Sequence, residues 1–325
     1  MDKIIEQRIR AYGEIRPRGQ YSPITIKTYV SNITNLHNLV EGDVEFSNLD
    51  FLKDHEKVED ALSGTPATKR NYMNACVVAL HTEDTPNTDL IKLYEIKREI
   101  MNTKATAIKK DGLTTAQQKV LDVVPKQKML DFVDGLHLAD HLNNHNDFMM
   151  ALILKIHKSY PFRNELAEMK FIKIRRYYEL QAIDETKNMN WCVVSKDKCK
   201  FIINVYKTSK TYGQRIIEVE PPLTAYIHAW ILKVRKIDIK DLNEKPFLCW
   251  MNGNELNRNQ MTHKLSDYTN KHLGAKISTT LLAKYFSPEL SSKPTTTAEL
   301  FEIQQKADDR GHSVKTHLNE YNLSK

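Results

Sequence analysis

Three short segments carry side chains able to act on an oxyanion. The first is Tyr160-Pro161-Phe162-Arg163-Asn164-Glu165-Leu166. The second is the turn-like run Tyr206-Lys207-Thr208-Ser209-Lys210-Thr211-Tyr212-Gly213. The third is Gly311-His312-Ser313, with Tyr321 nine positions after the histidine. An arginine fork can hold two oxygens of a phosphate at once. A lysine on a turn supplies a charge or a proton, and a tyrosine supplies an oxygen nucleophile. Taken singly, each has a plainer reading: a surface ion pair, solvated lysines, a packing tyrosine. They are read with no glycine-rich phosphate loop, no His-x-x-x-His and no Cys-x-x-Cys pattern beside them, so no cofactor and no metal is expected.

These residues need elements to position them. Residues 1–20 read as a short helix and a loop. Helices follow over Ile24–Val40, where apolar residues recur near a 3.6 period, then over Phe46–Leu62, from Thr65-Pro66 to Leu80, and over Asp89–Met101. The Lys- and Thr-rich stretch Asn102–Gln118 reads as a linker. Pro125 then opens a helix, and Phe148–His157 is a buried one. Four stretches rich in β-branched and aromatic residues read as strands: Tyr177–Ile183, Trp191–Ser195, Lys200–Tyr206 and Gln214–Val219. Helices return at Leu223–Val234, Arg258–His272, Thr279–Phe286 and Thr297–Asp309, with Gly311 as the last cap. The expected fold is mainly α, with a small antiparallel β-sheet in the C-terminal domain. The expected division is 1–101 helical, 102–122 a basic linker, and 123–325 the domain that carries the three segments.

Composition sets outer limits. The 325 residues suggest two domains at about 150 residues each. Gly (10) and Pro (11) are scarce, which favours helices over a turn-rich sandwich. The longest apolar stretch, Phe148–Ile156, falls well short of the ~20 residues of a membrane span. The charged N-terminus does not read as a secretion signal. Cys76, Cys192, Cys199 and Cys249 have no metal spacing and read as reduced thiols of an intracellular, non-secreted protein. Lys+Arg outnumber Asp+Glu by 48 to 41, a net +7. The basic residues cluster in 91–110, with Lys92, Lys97, Arg98, Lys104, Lys109 and Lys110, and in 196–215, with Lys196, Lys198, Lys200, Lys207, Lys210 and Arg215. Either run alone reads as a solvated face; two of them fit a surface that follows a phosphate backbone.

Arginine, then a hairpin lysine, then Gly-His-Ser with a tyrosine nine positions on: in this order, residues 123–325 resemble the catalytic domain of the tyrosine recombinase (phage integrase) family. The preceding helical block, with Ser-Pro-Ile-Thr-Ile-Lys-Thr-Tyr at 22–29, is similar to the family's core-binding, DNA-binding domain. The lysine turn and the Ser-Thr-Thr-Leu-Leu run at 278–282 look most like integrases of virophages and other viruses of eukaryotes. The resemblance implies a two-domain DNA clamp that performs site-specific DNA breakage and rejoining through a 3′-phosphotyrosine, for integration of a viral or mobile genome. It implies that Arg163 clamps the phosphate, that Lys207 or Lys210 protonates the leaving 5′-oxygen, that His312 steadies a non-bridging oxygen, and that Tyr321 attacks. Lys207 ends an apolar strand of suitable length and is the first choice, with Lys210 kept open. The partner is double-stranded DNA, held by a homotetramer that passes through a Holliday junction. No membrane and no small-molecule substrate is implied. Lys104, Lys109, Lys110, Thr280 and Lys284 are the further DNA contacts, and the setting is a host cytoplasm, nucleus or viral factory.

The chain departs from the family in the run from Gly274 to Tyr285. The family's His-x-x-Arg falls here on Thr280 and Ala283, so the second clamping arginine is missing. Ala283 reads as an introduced, inactivating replacement of arginine more readily than as natural degeneracy. Glu165 also stands one residue before the family's carboxylate position, which Leu166 fills. Two rival readings remain: a type IB topoisomerase with a similar residue set, and a non-catalytic DNA-binding protein on a recombinase fold.

Overall fold

A computed structural model describes residues 1–17, 19–109, 113–160 and 162–286, together with residues 304 and 307. The chain divides into two compact units, Met1–Lys109 and Lys110–Lys325.

The first unit is helical: α1 (Asp2–Ile15), α2 (Pro23–Glu41), a 3-10 turn at Asp50–Lys53, α3 (His55–Ala61), α4 (Pro66–Leu80) and α5 (Thr88–Ala107). Its boundaries follow from capping. The hydroxyls of Ser22 and Thr65 accept from the amides of Thr25 and Thr68, and a proline opens each helix with its φ already set. Ile26, Val30, Ile33 and Leu36 then recur on one buried face of α2. They pack into a core with Ile5, Ile9, Leu52, Met73 and Tyr94. The Tyr94 hydroxyl donates to the Leu52 carbonyl at 2.9 Å, so the buried phenol is satisfied.

The second unit contains α6 (Thr115–Val123), α7 (Lys126–Asp134), α8 (Leu138–His141), α9 (His145–Ser159), β1 (Met169–Lys173), α10 (Ile174–Ala182), β2 (Asn190–Val194), β3 (Cys199–Ile203), α11 (Ser209–Tyr212), β4 (Arg215–Glu218), α12 (Pro221–Ala229), a π turn at Trp230–Val234, a 3-10 turn at Ile239–Asp241, α13 (Arg258–Leu273) and α14 (Thr279–Tyr285). The central helix α9 is buried almost throughout, from Phe148 to His157. The strands form one sheet in the order β1-β2-β3-β4. Met169, Phe171, Cys192, Val194, Cys199, Phe201 and Ile203 face the main core. Ile172, Trp191, Val193 and Ile202 face the other way, onto Tyr177 and Leu180 of α10.

Three expectations need correction. The stretch 177–183 is the second half of a helix, not a strand. Ile174, Tyr177 and Leu180 recur at three-residue steps and lie on the sheet, so the helical period outweighs the β-favouring side chains. The first strand is instead Met169–Lys173. The sheet is mixed rather than antiparallel: β1 runs parallel to β2, as a crossover through α10 allows, and only β2–β3 and β3–β4 are antiparallel. The supposed linker 102–122 is largely helical, since α5 continues to Ala107 and α6 begins at Thr115.

The outer edge of β1 is also covered. The Phe171 amide donates to the Lys245 carbonyl and the Phe247 amide to the Met169 carbonyl, each at 2.8 Å. Thr297–Asp309 lies outside the described residues except for Gln304 and Ala307, which are helical.

Candidate functional site

Arg163 stands in the irregular loop between α9 and β1 and is half-buried. Its backbone amide donates to a carboxylate oxygen of Glu165 at 2.6 Å. Glu165 is 7% exposed and holds the loop through the main chain. Among the described residues no carboxylate pairs with the Arg163 guanidinium, which leaves its fork available. The plain ion-pair reading of this arginine therefore finds no partner here.

The lysine turn follows β3 and is built by side-chain amides. Asn190, at the start of β2, accepts through Oδ1 from the amides of Asn204 (2.9 Å) and Val205 (2.8 Å). Its Nδ2 donates to the Val205 carbonyl at 3.0 Å and reaches the Glu165 carbonyl at 3.5 Å. One buried asparagine thus ties the Arg163 loop to the strand end that launches Lys207. Asn204 Nδ2 in turn donates to the carbonyls of Thr186 and Met189, and Gln214 Nε2 donates to Asn204 Oδ1. The turn is closed by the Tyr206 hydroxyl, which donates to the Gly213 carbonyl at 2.8 Å. Gly213 has φ 70°, a left-handed conformation open to glycine.

Burial raises the Tyr206 phenol above its ordinary value, while the Arg215 guanidinium, 5.6 Å from its ring, opposes that shift. Lys207 and Lys210 are both exposed, Lys207 in the turn and Lys210 on α11. Neither pairs with a carboxylate among the described residues. Sequence reading passed over Asn190, because a lone asparagine at a strand start carries no periodic signal.

The run that carries Thr280 and Ala283 is a helix, α14. The Ser278 hydroxyl caps α14 by accepting from the Leu281 amide. Thr280 is exposed at its first turn, whereas Ala283 is 5% exposed. Lys284, expected to face DNA, is instead 3% exposed, with its ammonium donating to Gln117 of α6 at 3.3 Å. Tyr285 is buried too, and its hydroxyl donates to the Val124 carbonyl at 2.5 Å. Burial pushes that phenol up to about 12. Arg258 is committed to Glu168, with contacts of 3.0 and 2.8 Å. Lys110, His312 and Tyr321 lie outside the described residues.

The basic runs are partly neutralised. Lys97 pairs with Glu59, Arg98 with Glu95 and Lys200 with Glu218. Lys104 and Lys109 are exposed at the end of α5 and just beyond it.

His137, His141 and His145 do stand at the His-x-x-x-His spacing that the sequence reading denied. Among the described residues no group of three His, Cys, Asp or Glu side chains is gathered as a metal site. No described helix is long and apolar enough to cross a membrane. Compared with protein-family models, curated proteins and solved structures, the chain matches none.

Proposed function

We propose that this chain is a tyrosine recombinase-type integrase that breaks and rejoins double-stranded DNA at a defined site. The observation that carries the reading is the Asn190 link between an arginine loop and a lysine turn, whose Arg163 guanidinium and Lys207 and Lys210 ammonium groups pair with no carboxylate among the described residues. A phosphodiester needs such a pair. The arginine fork takes the non-bridging oxygens, whose charge grows during attack, and the lysine gives a proton to the leaving oxygen.

In this reading the Tyr321 hydroxyl attacks phosphorus, its proton passing to His312 or to water, and the bond to the 5′-oxygen breaks. The departing oxygen takes a proton from Lys207 or Lys210, and the tyrosine becomes a 3′-phosphoryl ester. Attack by a 5′-hydroxyl of a second strand reverses the step, so no bond energy is lost and no cofactor is consumed. His312 assists at a non-bridging oxygen. Four subunits on two sites, inside a cell, complete the exchange through a Holliday junction.

Ala283 favours a second reading, a DNA-binding protein on this fold that no longer cleaves. A nicked suicide substrate tests both. In the Ala283→Arg background, covalent protein–DNA adducts are expected and Tyr321→Phe abolishes them while DNA binding persists. Binding without adducts in either background leaves only the second reading, and relaxation of plasmids without sequence preference points to a topoisomerase.

A further inference from the structure

A second feature lies at the far end of α9. His145 opens that helix, roughly 20 Å along its axis from the Arg163 loop that follows its other end. Beside His145 is a cavity of about 440 Å³, within the range of small-molecule sites. Its lining includes Arg235, Lys245, Cys249 and Trp250, and none of its lining side chains is a carboxylate.

Arg235 is the central group. It follows the π turn, and its amide donates to the Trp230 carbonyl at 2.9 Å, which fixes its backbone. The guanidinium lies over the rings of Trp230 (5.7 Å) and Phe171 (5.8 Å) and donates to the Pro246 carbonyl. Among the described residues no carboxylate neutralises it. Burying a cation without an anion is costly, and burial lowers the pKa of Arg235 accordingly.

Its neighbours share its sign. Lys245 is exposed at the cavity. Lys264 sits 4.2 Å from the Trp250 ring centre. The His145 ring rests 4.8 Å from Trp230, and its Nδ1 is buried with no partner among the described residues. The cluster leaves positive charge and an unused nitrogen around a space large enough for a ligand.

We propose that this cavity binds a small phosphorylated molecule of mononucleotide size, with its phosphoryl group on Arg235 and Lys245 and a planar body against Trp250. A phosphate dianion matches two cations better than a single carboxylate does, and the arginine fork suits its paired oxygens. The half-buried indole and the exposed Met251 offer apolar surface for the rest. The proposal does not depend on the DNA reading.

Titration calorimetry on the full chain tests it, with adenosine 5′-monophosphate, adenosine and inorganic phosphate as probes. The monophosphate is expected to bind measurably more tightly than either of the others. Lys245→Met, at an exposed position, should weaken binding about tenfold, and Trp250→Leu should bring the monophosphate down to the level of inorganic phosphate. Arg235→Met should abolish binding; if it fails to fold, the other two variants decide. Equal binding of adenosine and the monophosphate, or indifference to Lys245→Met, overturns the proposal. Displacement of the monophosphate by duplex DNA also overturns it, because the cavity would then belong to a nucleic-acid surface.

Discussion

Asn190 treats Val205 as one strand treats another: its Nδ2 donates to the Val205 carbonyl at 3.0 Å, and its Oδ1 accepts from the Val205 amide at 2.8 Å. A side-chain amide thus stands in for a missing strand where the backbone leaves the sheet. It also approaches the Glu165 carbonyl, so the arginine loop inherits the rigidity of the sheet. Asn190→Ala strands buried donors and acceptors at once, and unfolding in urea should show a loss of about 3 kcal/mol. In a cleavage-competent background the same change should lower the cleavage rate far more than DNA affinity. Equal losses in both would mean the link is structural only.

Salt should weaken DNA binding steeply. If ~8 phosphates are neutralised, log K falls against log salt with a slope of about −7. Lys97, Arg98 and Lys200 already have carboxylate partners, so replacing them should change the slope less than replacing Lys104 or Lys207. Fluorescence anisotropy with a labelled duplex reads both quantities, and a slope near zero removes nucleic acid from the account.

Ala283→Arg should raise cleavage by roughly 10²–10³, the effect of restoring one preorganised donor to the transition state. Ala283→Lys should restore less, because lysine lacks the fork. Ala283 is 5% exposed, so the larger side chain should also cost about 1–3 kcal/mol of stability through overpacking. If the rate does not move, the second clamp must lie elsewhere. Arg258 is a poor substitute, since Glu168 already holds it; the other arginine C-terminal to residue 236 is Arg310, which lies outside the described residues.

His157 makes stability depend on pH. Burial pushes it down to about 4, with the Phe162 backbone offsetting part of that shift. The folded state therefore holds the ring neutral while the unfolded chain protonates it near 6.5. Its contribution is complete above about 6.5 and is lost as pH falls towards 4. Urea unfolding at pH 7 and pH 4.5 should differ by roughly 2 kcal/mol from this group. His157→Leu should flatten that part of the profile; an unchanged profile would assign the dependence to other groups.

Much of the fold is legible in the sequence because local chemistry and packing agree. Ser22-Pro23 and Thr65-Pro66 announce helix starts that the structure realises as caps. The β2–β3–β4 stretches are short, rich in β-branched and aromatic residues and bounded by turns. The misses share one cause: a side chain's intrinsic preference was read without knowing what lies beneath it. Tyr177 and Ile183 favour strands, yet the segment lies as a helix on Trp191 and Val193. Lys284 reads as a surface cation, but Gln117 receives it inside the unit. Of the site, the arginine loop and the lysine turn were visible as residue types. The asparagines that join them were not, because their partners are backbone groups distant in sequence.

The covered edge of β1 sets an order of events during synthesis. β2 emerges from the ribosome soon after β1, but the segment that closes the other side comes much later; Lys173 and Asn243, bonded there at 2.9 Å, are 70 positions apart. Contacts so far apart form slowly, because the intervening chain must first be brought round. Until residue 247 has left the tunnel, the first strand keeps one row of amides and carbonyls open to any passing chain. A pause in translation downstream of β4 would lengthen that interval, and a chaperone bound there would shield the nascent sheet.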